Sequence, residues 1–327
     1  MNSTAADRPI RPLISAVVPF LDEAETLPVL INTLERDLEP LGLPWELVLV
    51  DDGSRDHSLE VVRRALKRKP QLRATVLSLS RNFGKEAALT AGLAASRGDV
   101  VVPLDADLQD PPELIGPMLE QWRQGFDVVY AVRRRRSGES NTKRVTAFGF
   151  YRLMGRLSST AIPADTGDFR LMDRCVVRAL LQLPERSRFM KGLFAWVGFR
   201  QTALYYDRDA RRSGQSNWNY WKLWNFALDG ITSFSRVPLQ VLSVGGMGIA
   251  ALAMVYGAWL VLRTLLFGID LPGYASLITA VLFLGGLQLI GLGVLGEYLG
   301  RVFEEVKARP LYLVRERWEQ PGLEPNE

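Results

Sequence analysis

Val100-Val101-Val102-Pro103-Leu104-Asp105-Ala106-Asp107-Leu108-Gln109-Asp110-Pro111-Pro112-Glu113 passes from an apolar run to a pair of carboxylates and then to Pro-Pro. The apolar run, Val100–Leu104, has the length of a strand buried on both faces. Asp105 ends it, and the prolines favour a helix start just beyond. Asp105 and Asp107 thus stand at i and i+2 off a strand end, where two carboxylates can hold one hard divalent cation. Mg²⁺ bound by only one or two carboxylates keeps positions open for substrate phosphates. Such an ion neutralises charge developing on a diphosphate leaving group. Acidic turns are common, so the pair gains its weight from the strand before it and the Pro-Pro start after it.

The same alternation extends upstream. Leu13–Pro19 reads as a strand and Glu25–Leu38 as a helix; Glu46–Val50 is a second strand and Ser58–Lys69 a second helix. Ala74–Ser78 and Gly84–Ser96 repeat the pattern. Alternating strands and helices predict an α/β fold, a mostly parallel sheet with helices on both faces. Ligands of such sheets bind beyond the carboxyl ends of the strands. Polar residues gather at those ends: Asp22 and Glu23, Asp51 and Asp52, Arg81 and Asn82, then Asp105 and Asp107. Four successive strand ends outline one crevice. The alternation contains no internal repeat and no low-complexity linker.

Downstream the character changes. Of 40 basic and 36 acidic residues, only Arg263, Asp270 and Glu297 fall between Val237 and Gly300. Val237–Leu262 and Leu271–Gly296 are each 26 residues without a charge, where about 20 apolar residues cross the hydrocarbon core. Two transmembrane helices are expected. Lys222 and Arg236 precede them, Arg301, Lys307 and Arg309 follow, and the connector carries Arg263 only at its edge. The positive-inside bias places both ends in the cytoplasm. Gly246-Met247-Gly248 and Gly291-Leu292-Gly293 imitate dinucleotide fingerprints, but no strand–turn–helix surrounds them; small residues there suit close helix packing. Tyr220, Trp221, Trp224, Phe226 and Phe234 among charges suggest an interfacial amphipathic helix over 216–236. Asp7, Arg8 and Arg11 interrupt any signal peptide. The net charge of +4 gives no support to nucleic-acid binding. One cysteine, Cys175, excludes an internal disulfide and Cys-cluster zinc; one histidine, His57, speaks against His triads. His57 reads as an exposed turn residue and Cys175 as a small core residue.

Several segments together carry a resemblance: Val18–Glu23, Asp51–Asp56, Ser80–Lys85, Asp105–Glu113, Gly167–Arg170, Arg211–Asn217 and Gly296–Arg301. In this order the chain resembles a family 2 glycosyltransferase, in the branch of dolichyl-phosphate mannose synthase and the bacterial polyprenyl-phosphate glycosyltransferases. Asp22 departs from the Asn common in the first motif, and the Gln-x-x-Arg-Trp motif of processive synthases is absent. The resemblance implies a Rossmann-like, GT-A type domain over 1–215, the interfacial helix 216–236, two membrane helices within 237–300, and a cytoplasmic tail over 301–327. It further implies that Pro19, Glu23, Asp51 and Asp52 line a nucleoside pocket, a carboxylate accepting a base N–H or ribose hydroxyl. Asn82, Gly84 and Lys85 would approach the nucleotide sugar. Asp105, Asp107 and Gln109 would hold Mg²⁺ or Mn²⁺.

A lipid phosphate acceptor is already anionic near neutrality, its second pKa being about 6, so it needs cations more than a base. Arg170, Arg208, Arg211 and Arg212, with Ser216, are the expected acceptor-phosphate contacts. Asp168, with Asp165 a weaker competitor, would orient the acceptor, bind sugar hydroxyls, act as base, or simply pair with Arg170. Arg133–Arg136 would attract anionic headgroups or form a solvated loop. The expected protein is an inverting, metal-dependent transferase of the bacterial cytoplasmic membrane, its site on the cytoplasmic face. It would move sugar from a nucleoside-diphosphate sugar, UDP-glucose or another UDP-hexose first, to a polyprenyl phosphate. A lipid-hydroxyl acceptor, a non-catalytic nucleotide-sugar-binding scaffold and a homo-oligomer remain open alternatives.

Overall fold

The structure, a computed structural model, describes residues 8–133, 166–186, 188–206, 237–267 and 273–322. The chain divides into two compact units: the sheet with its helices, which also takes in the chain from Arg309 onward, and a helical unit.

Among the described residues eight strands form one sheet: β1 (Ile14–Phe20), β2 (Trp45–Asp51), β3 (Arg73–Leu79), β4 (Val100–Pro103), β5 (Val128–Arg133), β6 (Thr166–Asp173), β7 (Gln201–Tyr206) and β8 (Val314–Gln320), in the order β7-β5-β6-β4-β1-β2-β3-β8. The centre β4-β1-β2-β3 is parallel, as the alternation predicts. Every residue of β1 is buried, the mark of a strand covered on both faces. Ile14, Ala16, Val18 and Phe20 join a core with Leu27, Leu30 and Leu34 of α1 (Leu27–Leu38) and with Met118 and Trp122 of α4 (Ile115–Arg123). α2 (Ser58–Lys67) adds Val62 and Leu66. Val17 faces the other way, toward α3 (Lys85–Ala95), where a Cβ on Gly92 would lie 2.4 Å from its Cγ1. Each fully buried leucine or valine contributes about 1.5–3 kcal/mol.

Three pairings are antiparallel: β6 with β4, β6 with β5, and β8 with β3. Two of them matter for the site. β6 pairs Val101 with Met172, and continuing that register brings Asp105 opposite Asp168. β8 corrects the expected tail, because Val314–Gln320 lies against β3 with Trp318 opposite Val76 and packed on the core. Its sequence is largely charged because it is an edge strand with most side chains exposed. Cys175 is half-buried rather than core, in the first turn of α5 (Arg174–Gln182), where Asp173 caps the helix through the Cys175 N–H. His57 is exposed at the start of α2, as expected.

In the helical unit, α7 (Val237–Phe267) and α8 (Tyr274–Lys307) are long helices of 31 and 34 residues. Both are long and apolar enough to cross a membrane, with the apolar windows Leu242–Trp259 and Phe283–Lys307 unburied by protein. Val255 is 69% and Leu284 40% exposed, which sets these helices apart from the core of a water-soluble domain. α8 runs seven residues past Gly300, the expected end of the span.

Candidate active site

Parallel strands in register end together. Phe20 lies beside Asp51, Asp51 beside Ser78, and Val17 beside Pro103, so the polar residues following β1, β2, β3 and β4 share one rim. Strand order reverses at β1, with β2 on one side and β4 on the other. A crevice opens between diverging connections at such a switch point.

The rim is braced by its own carboxylates. Asp51, 3% exposed, accepts the Ser54 N–H at 2.8 Å and the Ser78 hydroxyl at 2.9 Å. Asp52, 4% exposed, accepts the N–H groups of Phe83 at 2.8 Å and Gly84 at 3.0 Å. Burial holds Asp52 above the usual carboxylate range against the pull of those N–H groups. Both side chains, expected to face a nucleoside, thus tie neighbouring turns together beneath the rim. Asp22 takes the left-handed conformation with φ 54°, which Asp and Asn tolerate best. Its Oδ1 accepts the Arg55 N–H at 2.7 Å, a bond that an Asn carbonyl would make equally, so the departure from the family motif is conservative. Glu23 is half-buried and its Oε2 accepts the Thr26 hydroxyl at 2.6 Å. Pro19 is buried in β1 and Asn82 is exposed on the rim. Gly53 has φ 77°, and a Cβ there would stand 2.6 Å from Arg81 C and 2.7 Å from Asn82 N, so the two turns touch through backbone.

At the β4 end the chemistry concentrates. Gly84, with φ 99°, turns the chain into α3. The Lys85 ammonium then lies 2.6 Å from Asp105 Oδ1 and 2.6 Å from Asp168 Oδ2. Burial pulls Lys85 down, but Asp168 and Asp105 outweigh it and hold the lysine well above its usual range. Burial likewise pushes Asp168 up, and Lys85, then Lys191 and Arg170, reverse this and keep its carboxyl below the usual range. Asp168 Oδ1 is buried and has no hydrogen-bond partner among the described residues. Asp107 is exposed, and its Oδ1 accepts the Gln109 N–H at 3.0 Å. Among the described residues no three His, Cys, Asp or Glu gather as a metal cage. Asp105 already holds one cationic group and Asp107, two residues on, is exposed; carboxylate oxygens of this kind are the donors a hard divalent cation takes.

Arg170 has a different setting from the one expected. It is 4% exposed, donates to the carbonyls of Gly167 at 2.8 Å and Asp168 at 3.3 Å, and stacks 3.7 Å over Phe194. Burial lowers it to about 10. It braces the backbone that presents Asp168. Asp165, Arg208, Arg211, Arg212, Ser216, the interfacial helix 216–236 and Arg134–Arg136 lie outside the described residues, as does the side chain of Arg133.

Sequence reading missed Glu86 and Lys191. Glu86 looks like any acidic residue in a first helical turn, yet it is half-buried and burial, then Asp168, raises it to about 7. Lys191 comes from α6 (Met190–Trp196), about a hundred residues further on, with no local signal.

Residues 15–181 match glycosyl transferase family 2. The chain is 55% identical to an uncharacterized glycosyltransferase of Synechocystis sp. over 95% of its own length and 96% of that protein. It is 45% identical to the bactoprenol glucosyl transferase of Shigella phage SfX, covering 93% of this chain and 99% of that one. The prophage bactoprenol glucosyl transferase homolog of Escherichia coli K12 is 44% identical over 92% and 98% of the two chains. Among solved structures, glucosyl-3-phosphoglycerate synthase from Mycobacterium tuberculosis, crystallised with Mn²⁺, UDP and phosphoglyceric acid, aligns with a TM-score of 0.46 at 22% identity. The alignment covers 68% of this chain and 76% of that one, a likeness too loose to assign ligands. With the family matched across the strand ends and relatives aligned nearly end to end, the chain belongs to glycosyl transferase family 2.

Proposed function

We propose that this protein transfers glucose from UDP-glucose to a polyprenyl phosphate, the bactoprenol type, with inversion at the anomeric carbon. The observation that carries the chemistry is the Lys85 ammonium between Asp105 and Asp168. The acceptor and sugar are supported by full-length identity to proteins named bactoprenol glucosyl transferases and by two helices fit to span a membrane.

In this reading the donor lies along the rim over β1 and β2, with Pro19, Glu23, Asp51, Asp52 and Asn82 shaping its nucleoside end. Asp105 and Asp107, with Gln109, would hold Mg²⁺ or Mn²⁺, which when bound supplies charge neutralisation to the leaving diphosphate. Lys85 adds a second positive charge on the same side. One phosphate oxygen of the acceptor forms the new bond to the anomeric carbon as the bond to the diphosphate breaks, and UDP leaves with that electron pair. The acceptor is anionic near neutral pH, so Asp168 orients it and takes its remaining proton when it arrives protonated. Arg170 positions Asp168 through the backbone. Arg208, Arg211, Arg212 and Ser216 are proposed to bind the acceptor phosphate.

Two crossings return the chain to the side from which it started, and the sheet unit holds chain both before α7 and after α8. Arg236, Arg301, Lys307 and Arg309 assign that side to the cytoplasm by the positive-inside bias, in the bacterial inner membrane. Membranes containing the protein, given radiolabelled UDP-glucose and bactoprenol phosphate with Mg²⁺ or Mn²⁺, should form an organic-soluble, mild-acid-labile product. A label that stays water-soluble refutes the reading; an acid-stable glycolipid points to a lipid hydroxyl instead.

A further inference from the structure

Lys85 is the first residue of α3, and its one ammonium joins carboxylates from two different strands, Asp105 just beyond β4 and Asp168 on β6. The two contacts are equal in length, 2.6 Å each, but not in setting. The Asp105 side chain is 36% exposed and that of Asp168 only 12%. Water or another cation can therefore replace the lysine at Asp105 at small cost. Its withdrawal from Asp168 would leave a buried charge uncompensated.

The ammonium occupies Asp105 Oδ1, and in the reading above Asp105 and Asp107 hold the divalent cation. An ammonium and a divalent cation compete for one carboxylate, because they seek the same oxygen lone pairs and repel each other. The lysine has a second place to rest, since Asp168 Oδ2 is already in contact with it.

We propose that Lys85 is a built-in competitor of the divalent cation at Asp105, and that loading the cation leaves the lysine paired with Asp168 alone. The proposal rests on the reading that Asp105 and Asp107 take the metal. The lysine's charge stays in the crevice, because Asp168 keeps it there. Filling of Asp105 and the charge balance at Asp168 thereby become one linked event.

The test is Mn²⁺ alone, without nucleotide, titrated into the full-length detergent-solubilised protein and read as free Mn²⁺ by electron paramagnetic resonance. Lys85→Met should bind Mn²⁺ about 5–10-fold more tightly than wild type, as for a contact between an exposed ion pair and a charged hydrogen bond in strength. That gain runs opposite to the loss of transfer expected of the same variant, a split that general loosening of the site does not produce. Asp168→Asn leaves the lysine to Asp105 alone, so Mn²⁺ should bind about 3-fold more weakly. In the Lys85→Met background the same substitution should change binding by less than about 1.5-fold. The proposal is overturned if Lys85→Met binds Mn²⁺ no more tightly than wild type. It is equally overturned if Asp168→Asn weakens binding by the same factor in both backgrounds, which would be a field effect that bypasses the lysine. Should Lys85→Met not fold, Lys85→Gln takes its place under the same criteria. If Asp107→Asn leaves Mn²⁺ binding of the otherwise wild-type protein unchanged, the metal reading itself fails and the proposal falls with it, a result distinct from the other two.

Discussion

Replacing Gly53 by alanine puts a methyl group where backbone already stands. The new Cβ would sit 2.6 Å from Arg81 C and 2.7 Å from Asn82 N, with no flexible side chain to move aside, and the residue has φ 77°. A Cβ in the left-handed region costs about 1–2 kcal/mol, and overpacking a tight site about 1–3 kcal/mol more. Relief requires the turn after β3 to retreat by roughly 0.8 Å to reach ordinary contact, a shift of the size that misplaces catalytic groups. That turn leads into Gly84 and Lys85, whose ammonium is 2.6 Å from two carboxylates. Gly42→Ala supplies the control, because Gly42 has φ 64° but nothing within 4 Å of its Cβ position; it pays the conformational cost alone. Melting of the detergent-solubilised protein should drop by about 4–20 °C for Gly53→Ala, at about 2–4 °C per kcal/mol, and by about 2–8 °C, the smaller shift of the two, for Gly42→Ala. Transfer should fall about 10–100-fold in Gly53→Ala and stay near wild type in Gly42→Ala. Equal melting shifts in the two variants would refute the steric account of how the rim is held.

Lys85→Met should lower transfer about 10–100-fold, since a bond to a charged group is worth about 1.5–3 kcal/mol. It should also move the acid limb of the pH profile upward: burial raises Asp168 and Lys85 is the chief group that lowers it, so without the lysine Asp168 takes up its proton at higher pH. Asp107→Asn should cut transfer about 100-fold or more, with partial recovery at raised Mn²⁺; full activity would favour a scaffold. Arg170→Lys loses the Phe194 stacking and the paired carbonyl bonds, worth about 2 kcal/mol or more for a desolvated cation–ring contact. Its melting point and kcat should fall while the acceptor KM holds, and a rise in acceptor KM alone would restore the direct phosphate contact expected from sequence. Truncation after Leu313 removes β8 and leaves β3 an unpaired edge, so the shortened protein should aggregate or lose transfer even with both long apolar helices intact.

The parallel centre of the sheet was legible because buried strands are apolar runs that stop abruptly at polar residues, as Val100–Leu104 stops at Asp105. The crevice followed from where those stops fall. What was hidden depends on pairing between distant segments. Nothing local says that β6 runs antiparallel beside β4, and that pairing alone brings Asp168 to Asp105. β8 was hidden for the opposite reason: Val314-Arg315-Glu316-Arg317-Trp318-Glu319-Gln320 carries the charges of a solvated edge, and of its seven residues Trp318 alone packs on the apolar core. Asp51 and Asp52 show a further ambiguity, since an acidic residue after a strand looks the same whether it meets a ligand or caps the neighbouring turn. Arg170 shows a similar ambiguity, since its charge suggests an anion while the guanidinium here meets two carbonyls and a ring.

Because β8 follows both long apolar helices in the chain, the ribosome delivers it only after they have been synthesised. Until then β3 carries an open edge that invites pairing with a stranger. Completion of the sheet therefore waits on translation of the two long apolar helices, and a nascent chain stalled before Val314 is left with a frayed sheet. Assembly is thereby ordered: both long apolar helices are synthesised before the sheet can close its own margin.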